Sequence, residues 1–159
     1  MQVAVAVMRI FFGVVFFSNG LAKLVPGIGH LPGGYFLIDS QGARSIIAHN
    51  ARHHPVQLYH DLVFEVFLPH WSFFGPLVGL TEMTAGLLLI LGLASALGAL
   101  LAALLSLHIQ FSDATGPWLF EYAVEWVPLL CLAFMRSGSV WGLDGALGTT
   151  RRRWRRAFA

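Results

Sequence analysis

The sequence predicts an all-α, polytopic membrane protein: a bundle of four transmembrane helices with a short helical segment outside the membrane between helices 1 and 2. Hydrophobic residues make up 57% of the 159 residues and charged residues only 11%, with a mean hydropathy of +0.70. This composition is far from that of a soluble domain. A helix needs about 20 apolar residues to cross a bilayer, and four stretches approach that length: 3–24, 71–92, 96–113 and 118–136.

The first apolar stretch is interpreted as a retained span rather than a cleaved signal peptide. No basic residue precedes the stretch, and no small-residue cleavage site follows it. Within it, Arg9, Gly13, Phe16, Gly20 and Lys23 recur at intervals of four and three residues, which places them on one helical stripe. We expect this stripe to face the bundle, because glycines permit close helix approach and charges avoid lipid.

Residues 25–70 are predicted to form an outer cap of one or two short surface helices, broken near Pro55. His49 and His53 are four residues apart and could share a helical face that binds a metal. No acidic or cysteine residue lies near them on that face, so surface histidines are the favoured interpretation and no metal site is predicted. Five aromatic residues are predicted to form an interfacial belt before the second span: Phe64, Phe67, Trp71, Phe73 and Phe74.

The orientation is predicted from five arginines at positions 151, 152, 153, 155 and 156. The positive-inside rule places the tail, 137–159, in the cytoplasm, and four spans then place the N-terminus there too. Residues 93–95 become a tight inner turn, and the chain forms a single multi-pass domain, 1–159, in the cell membrane. The tail is interpreted as a topology anchor in preference to a site for anionic lipid or a protein partner. No binding to nucleic acid is predicted.

Several ionisable residues lie inside the predicted spans, where an isolated charge costs at least about 2.5 to 3.5 kcal/mol. Counting the rise per residue places Glu82 and Glu125 near the midplane, with His108 slightly outward. Glu121 stands one turn before Glu125 in the fourth span. Two interpretations remain open: salt bridges that fix the bundle, or a protonatable group that binds a quinone head beside a Phe-rich pocket and exchanges protons with it.

Short motifs occur in order along nearly the whole chain: Arg9-x3-Gly13, Ser18-Asn19-Gly20-x2-Lys23, Glu82-x3-Gly86, Leu91-Gly92-Leu93, Glu121-Tyr122 and Gly138-Ser139-x4-Asp144. This order resembles the DoxX/DoxD family of four-helix membrane proteins. The long outer segment is similar to that of the DoxD branch, the large-subunit type of thiosulfate:quinone oxidoreductase. The resemblance implies a membrane subunit that takes part in electron transfer to quinone, in some members from thiosulfate, with a small second subunit. Arg9, Lys23, Glu82 and Asp144 match family positions.

The function expected from the sequence is therefore that of a quinone-interacting subunit of a redox complex. Its partners would be membrane lipid and a second subunit or redox protein, with quinone as the cofactor and no haem or metal. The alternative is a non-catalytic scaffold that recruits redox or oxidative-stress enzymes through its basic tail. A transporter is disfavoured, since there is no inverted repeat and no broken helix pair. The predicted catalytic residues are Glu82, His108 and Glu125, and the predicted cofactor-binding residues are Arg9, Asn19, Lys23 and Glu121.

Overall fold

The computed structural model describes residues 2–28, 37–114, 121–135 and 137–148, and every regular element in these ranges is helical. A π-helical segment, Leu62–Phe67, continues α3, and a 3-10 turn, Ser137–Ser139, and a short helix at 143–148 follow α6. The α-helices that precede these last two elements in the described ranges are α1 Gln2–Leu24, α2 Ser40–Arg52, α3 Gln57–Asp61, α4 Trp71–Leu91, α5 Ser95–Ser112 and α6 Ala123–Phe134.

Three helices, α1, α4 and α5, are long and apolar enough to cross a bilayer. Their bounds lie within one residue of the first three predicted spans. The described α6 is apolar but has 12 residues, and both ends of the predicted fourth span, 118 and 136, lie outside the described residues. Glu121 lies in a turn before α6, so its predicted position inside the fourth helix is wrong.

Glycines bring α1 and α4 into direct backbone contact along an antiparallel seam. A Cβ atom on Gly20 would lie 2.6 Å from the carbonyl oxygen of Gly79, and one on Gly13 would lie 2.8 Å from the backbone nitrogen of Ile90. Neither neighbour can move without shifting a helix. The glycine stripe predicted from the sequence therefore does face a neighbouring helix, and it fixes the distance between α1 and α4.

Small residues form a buried stripe along α5, and larger apolar side chains complete the core. Exposed positions on α1, α4 and α5 also carry large apolar side chains, including Phe11, Phe73 and Leu104. An apolar exterior of this kind on long helices is typical of a surface that meets lipid. The core includes Phe12, Phe16, Ala85, Leu89, Ala99, Ala102, Ala103, Leu129 and Leu132.

At one end of the bundle, here called the turn end, Asp144 caps the start of α5 from a distant part of the chain. Its Oδ1 accepts a hydrogen bond from the Ala94 backbone N–H at 2.7 Å. Its Oδ2 accepts from the N–H and hydroxyl of Ser95 at 3.0 and 2.9 Å. The Asp144 N–H in turn donates to the Gly92 carbonyl at 2.9 Å. A carboxylate at a helix N-terminus satisfies amide groups that lack partners inside the helix.

Arg9 lies at the same turn end and is fully buried. Its Nη2 donates to the carbonyl oxygen of Trp141 at 2.9 Å. A side chain on Gly92 or Gly142 would collide with the guanidinium group, so both positions require glycine. Arg9 also attracts Asp144 electrostatically. Four parts of the sequence motifs, namely Arg9, Gly92, Gly138 and Asp144, thus meet in one structural cluster.

At the opposite end, here called the cap end, α2 and α3 cover the bundle. Asp39 accepts from the Gly42 N–H at 2.7 Å and caps α2. The helical structure is interrupted between Arg52, where α2 ends, and Gln57, where α3 begins, as predicted from Pro55. Within α3 and its π-helical extension, Tyr59 and Val63 pack on Ala51 of α2.

Hydrogen bonds fasten the cap to α1, α4 and α5. The Ile38 N–H donates to Asn19 Oδ1 at 3.1 Å, and Trp71 Nε1 donates to Ser40 Oγ at 3.1 Å. The Val56 N–H donates to Nδ1 of His54. His54 Nε2 therefore carries the proton and donates to a carbonyl oxygen of α5, that of Phe111, at 2.8 Å.

Candidate functional site

A cavity of about 320 Å³ lies at the cap end, between α1, α4, α5 and the start of α6, with α2 above it. Most of its wall is apolar. The aliphatic part includes Val15, Ile38, Ile46, Ile47, Val78 and Leu105, and the polar part consists of Asn19, Lys23, Glu82, Ser106, His108, Ser112, Tyr122 and Glu125.

Lys23 and Glu82 form a buried ion pair on the wall of this cavity. The distance from Lys23 Nζ to Glu82 Oε2 is 2.7 Å, and the two side chains are only 5% and 9% exposed. The pair joins α1 to α4 beside the contact of Gly20 with Gly79. Because the two helices are in contact there, Lys23 Nζ reaches the Glu82 carboxylate while both side chains line the cavity.

Asn19 stands one helical turn before Lys23 and also faces the cavity. Its Nδ2 donates to the Val15 carbonyl at 3.0 Å, and its Oδ1 accepts from the Ile38 N–H. Both ends of the amide are therefore engaged, so the side chain has a fixed orientation and ties the start of the cap to α1.

Glu125 supplies a second carboxylate to the same cavity from α6. Its Oε2 accepts a hydrogen bond from Ser106 Oγ of α5 at 2.9 Å. Within the described ranges, no lysine, arginine or histidine lies within salt-bridge distance of Glu125. The cavity therefore contains one carboxylate matched by a cation and one matched by a neutral hydroxyl group.

His108 lines the cavity on α5, and the cap packs behind it. The ring centroids of His108 and Tyr59 are 6.0 Å apart. Asn50 of α2 donates to Ser112 Oγ at 3.3 Å, and Ser112 also lines the cavity. The cap thus contacts the imidazole and a neighbouring hydroxyl, which links the position of α2 and α3 to the polar side of the site.

An aromatic wall closes another side of the cavity. Phe67, Trp71 and Phe74 line it, and the rings of Phe67 and Phe74 meet edge to face with centroids 4.8 Å apart. The sequence predicted an interfacial belt for these residues. Phe73 is exposed, as a belt residue would be, whereas these three contribute to the cavity.

Five of the seven predicted site residues line the cavity together: Asn19, Lys23, Glu82, His108 and Glu125. Arg9 does not, since it binds the Trp141 carbonyl at the turn end and so cannot be a counter-charge within this site. Glu121 is exposed and lies outside the cavity lining. The two corrections differ in origin: Arg9 lies at the turn end, away from the cavity, whereas Glu121 lies at the cap end but in the turn before α6, with its side chain exposed.

The sequence-based interpretation missed three polar residues of the cavity, Ser106, Ser112 and Tyr122. Ser106 continues the buried small-residue stripe of Gly98, Ala99, Ala102 and Ala103, so helical periodicity along α5 could have identified it. No comparable pattern marks Ser112 or Tyr122.

The two histidines considered as a metal pair, His49 and His53, lie on the cap with ring centroids 6.1 Å apart. Among residues 2–28, 37–114, 121–135 and 137–148, no three His, Cys, Asp or Glu side chains are grouped so that they could hold a metal ion.

The fold and the site define a class: a helical protein whose described part has three helices of bilayer-spanning length and, at one end, an apolar cavity lined by an ion pair, a second carboxylate and an imidazole. No family model, curated protein or solved structure matches the chain.

Proposed function

We propose that this chain is a DoxX/DoxD-like integral membrane subunit of a quinone-linked redox complex, of the thiosulfate:quinone oxidoreductase type, and that its cavity binds the quinone head. The observation that carries the proposal is the meeting of Lys23, Glu82, His108 and Glu125 in one largely apolar cavity. Ionisable residues inside a membrane-spanning bundle are costly to maintain and usually mark a functional site.

The proposal includes a four-span topology in the cell membrane with both termini in the cytoplasm. The lengths and apolar surfaces of α1, α4 and α5 support it, with α6 as the fourth span. The arginine-rich tail supports a cytoplasmic position for the turn end. In this orientation the cavity lies in the outer half of the bundle, at a depth that a lipid-soluble ring compound reaches from the bilayer.

The residues present fit a quinone head. Small-molecule pockets typically enclose about 300–1,000 Å³, so 320 Å³ accommodates a substituted ring. The aromatic wall of Phe67, Trp71 and Phe74 suits a flat ring. Lys23 and His108 are the side chains that would donate hydrogen bonds to its carbonyl oxygens.

Quinone reduction takes up protons together with electrons, so the protein must provide protons at the ring. Glu125 is suited to this, because its Ser106 partner accommodates either a carboxylate or a carboxylic acid. Lys23 balances the charge of Glu82, so that pair keeps the site neutral while Glu125 exchanges a proton. His108 is a second proton carrier in the same wall. The electrons would come from a second subunit or from a small reduced sulfur compound such as thiosulfate.

The test is quinone reduction by the protein captured from its native membranes in mild detergent, with thiosulfate as donor and a short-chain quinone as acceptor. Ala43→Trp places an indole in the cavity, whereas Ala48→Trp on the same helix points into a different groove. We expect Ala43→Trp to lower the rate strongly, because the indole fills the space of the quinone head, and Ala48→Trp to leave the rate unchanged.

Equal rates in the two tryptophan variants would contradict the cavity as the quinone site. Deletion of residues 151–156 distinguishes the proposed quinone-reducing subunit from the alternative, a non-catalytic scaffold. An intrinsic quinone activity survives this deletion, whereas a scaffold that recruits redox enzymes through the tail loses the activity together with the captured partner proteins.

A further inference from the structure

A second groove, of about 410 Å³, lies on the surface of the cap, between α2 and the segment that follows α3. Its α2 side is polar except for one alanine, and the residues on it recur at intervals of three and four, so they share one helical face. The opposite side is apolar. This feature is here called the arginine groove, and its lining is Gln41, Arg44, Ser45, Ala48 and Arg52 on α2, with Phe64 and Leu68 opposite.

The two arginines of the groove are not neutralised by any carboxylate in the described part of the chain. No Asp or Glu there lies within salt-bridge distance of Arg44 or Arg52, and α2 contains no acidic residue. Glu65, which follows Phe64 in the sequence, is exposed and lies outside the groove lining. The groove therefore carries a local positive charge that is available to an anionic ligand.

The spacing of the arginines suits one phosphate group. Arg44 and Arg52 are eight residues apart, which is about 12 Å along the helix axis, and Ala48 lies midway between them. Because this residue carries only a methyl group, both guanidinium groups have room to turn toward one anion above it. Guanidinium groups bind phosphate oxygens through paired hydrogen bonds, and the neighbouring Gln41 and Ser45 are further donors.

The apolar side of the groove lies next to the start of a spanning helix. Leu68 comes three residues before Trp71, where α4 begins. Trp71 Nε1 also donates to Ser40 Oγ, so the starts of α2 and α4 lie side by side. Tryptophan is favoured at the boundary of the bilayer. In the proposed membrane placement, the arginines are therefore at the level of the lipid headgroups, and the apolar side borders the acyl chains.

We infer that the arginine groove binds one anionic phospholipid from the leaflet at the cap end, with its phosphate between Arg44 and Arg52 and an acyl chain on Phe64 and Leu68. A zwitterionic headgroup would add an ammonium group to two guanidinium groups, and no described carboxylate lines the groove to bind it. A soluble phosphate ester would leave the apolar side uncovered. This inference rests on the proposed membrane placement and not on the quinone site.

Native mass spectrometry of the full chain, delipidated in mild detergent and titrated with lipid, tests this inference. We expect the first phosphatidylglycerol to bind more tightly than phosphatidylcholine. Arg44→Gln and Arg52→Gln should each weaken phosphatidylglycerol binding by about fivefold, and together by about 25-fold. Both arginines are exposed, so their replacement removes no buried contact. Deletion of residues 151–156 is the control for unspecific attraction, because it removes five arginines and should preserve this tightest binding event.

A second pair of variants tests the groove by its shape. Ala48→Trp fills the groove and should abolish tight phosphatidylglycerol binding, whereas His49→Trp, at an exposed position that lines neither the groove nor the cavity, should preserve it. Circular dichroism checks that each variant is folded. Because Ala48→Trp is expected to retain quinone reduction, the lipid proposal and the quinone proposal fail separately.

Three results would overturn the inference. The first is equal phosphatidylglycerol affinity in the wild type and the double arginine variant. The second is equal affinity of the wild type for phosphatidylglycerol and phosphatidylcholine. The third is binding of glycerophosphoglycerol, the same headgroup without acyl chains, as tightly as the lipid itself, since the ligand would then be a soluble phosphate ester.

Discussion

Lys23 of α1 and Glu82 of α4 form an ion pair of 2.7 Å in which both side chains are at least nine-tenths buried. The pair lies beside the closest approach of these helices, where Gly20 meets Gly79, and it also faces the cavity. One contact therefore serves both the packing of the bundle and the electrostatics of the proposed site. The contribution of the pair to stability and its contribution to quinone reduction can be measured separately.

Breaking the pair on one side should destabilise the protein strongly. Lys23→Met or Glu82→Gln alone leaves a buried polar partner without compensation and should cost about 3–5 kcal/mol of unfolding free energy. The double variant Lys23→Met with Glu82→Leu removes both charges and should return near the stability of the wild type. Unfolding by denaturant in mixed micelles measures this cycle.

The same double variant separates structure from function. We expect it to remain inactive in quinone reduction although it is abundant and folded, because the cavity has lost its cation. A double variant with normal stability and normal quinone reduction would show that the pair only supports the bundle.

Glu125→Gln should leave the fold intact, because the amide oxygen can still accept the hydrogen bond from Ser106. It removes a protonatable group, so quinone reduction should fall by about 10²–10⁴-fold. Glu121→Gln is the matched control, four residues earlier and outside the cavity lining. Comparable loss in both variants would argue against a specific role for Glu125.

The sequence predicted the helices well where apolar length and glycine spacing carry the information. The spans at 3–24, 71–92 and 96–113 match α1, α4 and α5 closely, because each is a long apolar stretch bounded by a turn or a change of polarity. The stripe containing Gly13, Gly20 and Lys23 faces the bundle because close packing of helices requires small residues there.

The sequence did not predict how the charged residues divide between the two ends of the bundle. Arg9 and Lys23 lie on one stripe, yet one binds a loop carbonyl and the other a carboxylate. Asp144 caps α5 across 49 residues of sequence, and a contact of that range depends on how the last segment folds back. Periodicity reports a helix face but gives no information on tertiary partners.

Gly20→Ala should separate α1 from α4. The added Cβ would lie 2.6 Å from the Gly79 carbonyl oxygen, and an overpacked contact of this kind costs about 1–3 kcal/mol. The expected result is a lower thermal unfolding midpoint by circular dichroism in detergent. Gly148→Ala, where the added Cβ meets nothing within 4 Å, is the control and should not change the midpoint. An unchanged midpoint in Gly20→Ala would contradict the tight seam.

Asp144 should give the protein a pH-dependent stability. Burial alone would raise the pKa of its carboxyl, but hydrogen bonds from Ser95 and Ala94 and the charge of Arg9 outweigh burial and hold the pKa below its usual range. The stabilisation is then complete above the ordinary aspartate pKa of about 3.9, and it is lost as the pH falls through the lower folded-state pKa.

Asp144→Asn tests this dependence. At neutral pH it should lower the unfolding free energy by about 1–3 kcal/mol, because an amide NH2 in place of Oδ2 cannot accept the two hydrogen bonds from the buried Ser95. The difference between wild type and variant should shrink as the pH falls below about 4. Thermal midpoints from neutral to acidic pH measure it, and a difference that grows on acidification would contradict the proposed cap.

Photoaffinity labelling with an azido-quinone tests the central claim most directly. The protein in nanodiscs is illuminated with the probe, and the labelled residues are identified by mass spectrometry. The account predicts saturable labelling of the cavity walls in α2, α5 and the Phe67–Val78 region, competed by unlabelled quinone and abolished by Ala43→Trp. Labelling restricted to outward-facing residues such as Phe11 and Leu104, unaffected by competitor, would contradict quinone binding in the cavity.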